Sequence, residues 1–247
     1  SEVREWVNQP AKILSTGRNR VVMKENVPIR EGVSVNLVIK SFGPQSLWKD
    51  AVDVRRTTRA HRSWSAAERL ASQGVGTPRP VAYLDVRNGK RLVESYYVSV
   101  WEPAATDLRR EIIRLFSHDP VCWKIMNLLE TVSAVVRAMH DSGVMHRDLG
   151  NQNIQLSPEV DGHWAAVSFV DLNRAKLLAQ LSLRQKARDL SRIHLPSDLL
   201  RVFYEMYFHA RPSSAFRKWD QRYRRRYAIH DRTRKFRHPL RSERALQ

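Results

Sequence analysis

Two carboxylates and a side-chain amide, set at fixed spacing, carry the strongest chemical signal in this chain. Asp148 sits in His146-Arg147-Asp148-Leu149, Asn153 follows it by five residues, and Asp171 lies 23 residues beyond Asp148. The apolar stretch AAVSFV at 165–170 delivers Asp171, so its carboxylate is expected at the end of a buried strand, pointing into a cleft. Such a set suits phosphoryl transfer to a hydroxyl, which needs little covalent help. One carboxylate orients the hydroxyl and accepts its proton, while oxygen ligands hold magnesium against the phosphates. On that chemistry Asp148 is the candidate base, and Asn153 and Asp171 are the candidate magnesium ligands.

The run from His146 to Asn153 matches the H-R-D-L-x-x-x-N catalytic-loop pattern of kinases at each defined position. Taken alone, it would also suit a turn capped by Asp and Asn. Asp171 takes the place of the Asp in the kinase Asp-Phe-Gly motif, with Leu172 and Asn173 replacing Phe and Gly. The metal role needs the carboxylate alone, although a helix N-cap before Arg174 would also place an Asp here. Lys40 ends the apolar run Val38-Ile39-Lys40, as does the lysine of Val-Ala-Ile-Lys that contacts the α and β phosphates of the nucleotide. A lone strand lysine usually faces solvent; its weight here comes from order, because lysine strand, helix, catalytic loop and metal Asp follow one another as a kinase fold requires. Glu68 is the candidate partner for Lys40, and pairing with Arg on its own helix face is the competing reading. The segment Ser15-Thr16-Gly17-Arg18-Asn19-Arg20 lies where a glycine-rich phosphate cover would be, with one glycine in place of three. Its backbone amides, Ser15, Thr16 and Arg18 are candidate phosphate contacts.

The elements that must position these groups follow from pattern. AKIL, RVVMKEN and VNLVIKSF read as strands, with a turn at 15–19 and a loop before the third strand. Asp50 to Gln73 reads as a helix with Trp64, Ala67, Leu70 and Ala71 on one face and a stop at Gly74. TPRPVAYLD is extended, since a residue before proline is pushed out of the helical region, and RLVESYYVSVWEP reads as a strand ending at Pro103. Ile125, Leu128, Leu129, Val132, Val135, Val136 and Met139 mark a long buried helix ending near Gly143. The expected architecture is α+β and bilobal: residues 1–102 an N-lobe of small antiparallel sheet plus one helix, and residues 103–247 a mainly helical C-lobe. A ligand would sit in the cleft between them.

Composition bounds this reading. The chain has 247 residues, 42% apolar and 28% charged, enough for one good-sized domain or two small lobes and too apolar for disorder throughout. Its formal charge is +18, with 33 Arg to 10 Lys, and guanidinium grips phosphate in a bidentate fork. Nucleic acid, an anionic membrane surface and a phosphorylated substrate all suit that charge. The single cysteine, Cys122, excludes an internal disulfide framework and sits in an apolar run, as a core residue would. No segment has about 20 consecutive apolar residues, and the start lacks a secretory stretch, so a soluble protein is expected. Residues 211–247 carry 13 basic against three acidic residues, interleaved with Trp219, Tyr223, Tyr227 and Phe236. This basic extension is expected to hold anionic lipid, to grip substrate phosphates, or to remain a partly ordered solvated tail. It has no recognised RNA-binding motif, which disfavours nucleic acid.

Further pieces narrow the choice: Arg62-Ser63-Trp64 before Gly74-Val75-Gly76-Thr77-Pro78-Arg79-Pro80, the run His140-Asp141-Ser142-Gly143 leading into the catalytic loop, Phe169-Val170-Asp171-Leu172-Asn173-Arg174-Ala175, and Arg188-Asp189-Leu190. With these the chain resembles the lipopolysaccharide core kinases, the Kdo/heptose kinase family of Gram-negative bacteria, relatives of the eukaryotic-type protein kinases. The resemblance spans about residues 12–200. It implies a protein-kinase-like fold, ATP and Mg2+ as cofactors, Asp148 as base, Asn153 and Asp171 as metal ligands, and Lys40 as the ATP phosphate contact. It also implies that Asp189 is the buried helix Asp that fixes the catalytic-loop backbone. Family members often carry a Glu near the Ser63 position, which this chain lacks.

Just 17 residues separate Asp171 from Asp189, and no Ala-Pro-Glu motif appears, too short for the long segment on which protein kinases dock peptides. A small or glycan acceptor is favoured. The resemblance implies a heptose or Kdo hydroxyl of the inner core, phosphorylated at the cytoplasmic face of the inner membrane, with the inner-core glycolipid as partner. The alternatives are a small atypical Ser/Thr protein kinase of the same superfamily and a non-catalytic basic module docking on membrane or RNA.

Overall fold

The computed structural model describes residues 2–16, 19–43, 57–89, 91–104, 106–118, 122–157, 159–160, 163–164 and 166–237. It has the α+β, kinase-like architecture that the sequence leads one to expect. A five-stranded antiparallel sheet is built from β1 (Lys12–Ser15), β2 (Asn19–Arg30), β3 (Val33–Phe42), β4 (Pro80–Asn88) and β5 (Arg91–Val100), in the order β1-β2-β3-β5-β4. Its buried face gathers Val22, Leu37, Ile39, Tyr96 and Val98, alternate positions of the three central strands, into one apolar cluster. A short helix that the sequence pattern did not reveal, α1 (Glu2–Asn8), adds Val7 to that cluster, and Arg4 pairs with Glu94 of β5. The hydrogen bond from Arg4 holds the Glu94 carboxyl below its usual range.

Three boundaries differ from expectation. The loop expected after Asn26 is instead a continued hairpin: Val27 pairs with Val35 and Arg30 with Val33, around a turn at Gly32, whose φ is 70°. The register shift between Lys24 and Val27 contains Asn26, left-handed at φ 53°, whose N–H donates to Asn36 Oδ1 at 3.0 Å. The helix expected from Asp50 is α2 (Arg59–Ser72), because Thr58 caps it by accepting from the His61 N–H at 3.1 Å; residues 44–56 lie outside the described set. Gly74 ends it at φ 67°, as the sequence implies. Its buried face is Ala60, Ser63, Ala66, Ala67 and Leu70, rotated from the expected stripe, since Ala71 is exposed. β5 stops at Val100 rather than Pro103, where the Trp101 N–H turns to Asn36 O at 2.7 Å.

Beyond Ala104 the chain is mainly helical: α3 (Leu108–His118), α4 (Cys122–Asp141), α5 (Leu183–Leu190), α6 (Ser197–Phe208) and α7 (Ser214–Arg237). Short strands lie between them, notably β6 (Thr106–Asp107), β7 (Val144–Met145), β8 (Ile154–Leu156), β9 (Glu159–Val160), β10 (His163–Trp164), β11 (Val167–Phe169) and β12 (Lys176–Leu177). The apolar stripe of α4 is the spine of the larger core, with Leu128, Leu129, Val132, Val136 and Met139 fully buried. The Cys122 side chain, expected in the core, lies outside the described residues. Gly143 stops α4 at φ 81°, and a Cβ there would lie 2.1 Å from Leu178 O, so the close passage of the 176–178 strand requires glycine.

The basic extension is a helix to Arg237; residues 238–247 lie outside the described set. Phe216, Asp220 and Tyr223 of α7 are buried against the body of the molecule. Arg224 pins the helix: its guanidinium donates to both Asp220 oxygens, to Tyr204 Oη at 2.6 Å, to Ile193 O at 2.9 Å and to Leu190 O at 3.3 Å. Burial works against the charge of Arg224, but Tyr204 and Asp220 beside it raise its pKa above the usual value. No helix among the described residues is long and apolar enough to cross a membrane.

Arg224→Ala leaves Asp220 and two backbone carbonyls without their cation. Discounted for the partial exposure of the pair, the loss is about 2–3 kcal/mol of unfolding free energy, read as a lower midpoint in urea denaturation of the full chain.

Candidate active site

The catalytic-loop motif runs between β7 and the 3₁₀ turn Asn151–Asn153, and it does not hold its own shape. Arg147 sits in the left-handed region at φ 66°, which costs about 1 kcal/mol or more for a non-glycine residue. Asp189, fully buried near the end of α5, over-determines that conformation. Its Oδ2 accepts the His146 N–H and its Oδ1 the Arg147 N–H, both at 2.6 Å. His140 Nε2 lies 3.3 Å from Oδ2 and His140 Nδ1 lies 2.7 Å from Tyr207 Oη. With the Nε2–H tautomer, Tyr207 donates to His140 and His140 donates to Asp189. Burial raises the Tyr207 pKa far above the usual value, so the phenol keeps its proton for this bond.

From there each bond places the next group. The buried His146 ring accepts the Asp148 N–H at Nδ1, 3.3 Å, and donates from Nε2 to Val170 O, 3.0 Å. Val170 N–H donates to Asn153 O at 3.0 Å, and Asn153 Nδ2 donates to Asp148 O at 2.8 Å. Both polar ends of the residue preceding Asp171 are thus tied to the catalytic loop. Asp171 is left-handed at φ 63°, and its Oδ1 accepts from Lys40 Nζ and from Asn173 Nδ2. Lys40 reaches it from the centre of the sheet, where it pairs with Val21 and Tyr97 across β2 and β5.

A cleft of about 850 Å³ opens between the sheet and the helical body. Val21, Val38 and Lys40 line it from the sheet, Leu156 and Asp171 from the body, and the segment 100–104 lines it between the two. Tyr97 lines it too, its phenol pushed to a higher pKa by burial and by the nearby Glu68 and Glu102 charges. The Gly-x-x-Thr-Pro-x-Pro segment closes the inner side: Phe169 N–H donates to Gly76 O at 2.9 Å, and Thr77 donates to Phe169 O at 3.0 Å. Gly76 is needed for that approach, since a Cβ there would lie 2.1 Å from Val167 O.

Lys40, Asp148, Asn153 and Asp171 are therefore drawn into one bonded group. Ser15 lines the cleft and Thr16 is exposed beside it, while Arg18 lies outside the described residues. Glu68 is not drawn in. It is exposed on α2, and the ion pair of Lys40 among the described residues is with Asp171. At the face of α2 that meets the 172–174 turn, Arg62 donates to Asn173 O at 3.0 Å. Sequence reasoning did not single out Arg192, whose Nη2 donates to Asp148 Oδ1, or the role of Arg174, whose Nη1 lies 3.0 Å from Asp148 Oδ2. The surplus of Arg over Lys announced such forks without saying which residues form them.

The sequence profile of the lipopolysaccharide kinase (Kdo/WaaP) family matches residues 43–216, well over half of the chain. The chain belongs to that family. Among its relatives is the lipopolysaccharide core heptose(I) kinase WaaP of Escherichia coli, 26% identical over 141 residues, 56% of this chain and 53% of that protein. The match thus spans about half the length of this curated relative. The solved structure of WaaP in complex with acyl carrier protein is similar in fold, with a TM-score of 0.67, 21% identity and 92% coverage of each chain.

As a site for a hard divalent cation, the family set is small: among the described residues no three His, Cys, Asp or Glu side chains cluster as metal ligands. One carboxylate and one amide oxygen suit magnesium, which keeps several waters and shares its shell with substrate phosphates. Asn153 and Asp171 fit that chemistry. The amide of Asn153 spends its N–H on Asp148 O, and Asp171 makes both its bonds through Oδ1.

Asp189→Ala removes the acceptor of two buried backbone N–H groups and of His140, at about 1–3 kcal/mol for each donor left unsatisfied. A fall of about 3–5 kcal/mol in unfolding free energy is expected in denaturant titration. Asp189→Asn falls between the two, since its amide accepts one N–H and opposes the other.

Proposed function

We propose that the protein is an ATP- and magnesium-dependent kinase that phosphorylates a heptose or Kdo hydroxyl of the lipopolysaccharide inner core. The observation that carries this is the bonded group at the cleft edge: Lys40 on Asp171, and Asp171 joined through Val170 to the loop bearing Asp148. The adenine ring would lie between Val21 and Val38 above and Leu156 below, its edge toward the backbone after Val100. Lys40 would contact the α and β phosphates, with Ser15, Thr16 and Arg18 near them. The lobe division after Glu102 would let the sheet close on the nucleotide. Magnesium, held by Asn153 and Asp171, would offset charge on the transferring phosphate. Asp148 would receive the acceptor hydroxyl, orient it in line and take its proton.

The segment between Asp171 and α5 supports a glycan rather than a peptide. It is spent on the 172–174 turn and on β12, which pairs with β7, and leaves no extended platform. The exposed side of α7, with Arg217, Lys218, Arg222, Arg225 and Arg226, suits the anionic cytoplasmic surface of the inner membrane, where the lipid-linked acceptor would be met.

Asp148→Asn is expected to lower kcat about 10²–10⁴-fold with the KM for ATP little changed, measured as ATP-dependent phosphorylation of isolated core oligosaccharide. Lys40→Ala should act mainly by raising the KM for ATP. Full activity of either Asp148→Ala or Asp171→Ala would refute the catalytic assignment, and labelling of protein in preference to glycan would identify a protein kinase instead. Mass spectrometry of core oligosaccharide from cells with and without the protein should show one phosphate missing at a defined sugar.

In sedimentation with anionic vesicles, reversing Arg222, Arg225 and Arg226 to Glu should abolish binding of the full chain at low salt, consistent with about 1 kcal/mol per cation near the surface. Neutral vesicles should leave both forms in solution.

A further inference from the structure

Asp148 is flanked by more positive charge than a base needs. Arg192 donates to its Oδ1 and Arg174 lies 3.0 Å from its Oδ2, so two guanidinium groups share one carboxylate. A third, Arg147, donates from Nη1 to Arg174 O at 3.5 Å. The surplus is not dissipated in solvent at Arg192. Its Nε is buried without a hydrogen-bond partner, a donor that is costly to leave unmade.

The fork is also held in place. The guanidinium of Arg192 lies over the Tyr227 ring, 4.6 Å from its centroid, against the fourth turn of α7. The segment carrying Arg192 is clamped to the catalytic loop: Asn151 Nδ2 donates to His194 O at 2.7 Å, and His194 N–H donates to Asn151 Oδ1 at 2.9 Å. The conformational cost of ordering this arginine is met before any ligand arrives. Arg174, by contrast, is half exposed.

We propose that Arg174 and Arg192 form an anion clamp on the acceptor side of Asp148. It would take a phosphate or carboxylate carried by the acceptor next to the hydroxyl that is phosphorylated. This deepens the reading of the protein as a kinase of inner-core sugars and rests on it. The clamp belongs to the acceptor and not to the nucleotide, because among the described residues neither arginine lines the cleft that holds Lys40 and Asp171. Two guanidinium forks match the oxygens of a phosphate or carboxylate bidentately, which lysine cannot do. An acceptor anion would draw the half-exposed Arg174 from Asp148 Oδ2 and leave that oxygen for the hydroxyl, while Arg192 stays in place on Oδ1. A neutral acceptor would have to compete with them. Tyr227 is then a positioning residue acting through Arg192, which brings the C-terminal helix into acceptor selection.

The test is calorimetric titration of the full chain with a hexose phosphate, a hexuronate and the neutral hexose, each with and without a non-hydrolysable ATP analogue and magnesium. Wild type should bind both anionic sugars at least about tenfold more tightly than the neutral one, in line with hydrogen bonds to charged groups. Arg192→Ala and Arg174→Ala should each weaken the anionic sugars about tenfold or more. Arg192→Lys should recover part of that loss, and Tyr227→Phe should recover what Tyr227→Ala loses. Affinity for the ATP analogue should stay within about twofold in every variant, which also shows that the variants fold. Equal binding of charged and neutral sugars by wild type overturns the clamp. So does a loss of ATP-analogue affinity with sugar-phosphate affinity intact, which would give the arginines to the γ-phosphate. Failure to phosphorylate core oligosaccharide would count against the kinase reading and leave the anion preference to be read by itself.

Discussion

A carboxylate with no solvent contact organises this molecule. Asp189 accepts two consecutive backbone N–H groups at 2.6 Å and a histidine at 3.3 Å, and those bonds compensate for removing its charge from water. In return it holds Arg147 in a backbone region that the residue would not choose. With Arg147 turned, the His146 ring is directed inward, where it bonds Val170 O and the Asp148 N–H. Val170 in turn bonds Asn153, and the next residue is Asp171. Asp148, Asn153 and Asp171 are therefore not three independently placed side chains. They are successive stations on one hydrogen-bonded path that starts at α5 and, through His140 and Tyr207, reaches α4 and α6. A path of this kind is stiff, because each buried donor has one acceptor and little room to trade it.

Local substitutions in the segment after Val170 make sense on the same path. Asn173 stands where the kinase motif has glycine, and its Nδ2 bonds the Asp171 carboxylate that Lys40 also engages. Its carbonyl is taken by Arg62 of α2. The helix beside the sheet is thus joined to the 171–173 segment through a guanidinium and a backbone carbonyl. The Lys–Glu pair that Glu68 would have made is absent among the described residues.

The C-terminal helix divides the charge of the extension among different tasks. Arg224 is consumed by the fold, where a carboxylate, a phenol and two carbonyls surround it. Tyr223 and Trp219 receive Arg184 of α5, which hydrogen-bonds the one and lies 4.5 Å from the ring of the other. Tyr227 faces the catalytic loop through Arg192, and Arg217, Arg222, Arg225 and Arg226 face solvent. A uniform basic composition thus conceals a side packed against the body, which holds Arg192 through Tyr227, and an exposed side that shapes the field of the surface.

The sequence by itself marked the candidate groups and the order of the main elements that carry them. The motif around Asp148, the strand lysine at 40, the carboxylate at 171 and the apolar stripe of α4 are local patterns, and local patterns survive in one dimension because strand and helix periodicities and turn residues act within a few positions. It also pointed to the buried Asp189, through its resemblance to a family. Tertiary structure alone decided which charges meet. Lys40 engages Asp171 across 131 residues and Arg192 engages Asp148 across 44, while Glu68, on the expected helix, faces solvent. Helix α1 and the folding of the basic extension against α5 and α6 escaped for the same reason. A short helix and a charge-rich helix draw their stability from the surfaces they cover, and those surfaces exist only once the chain has folded.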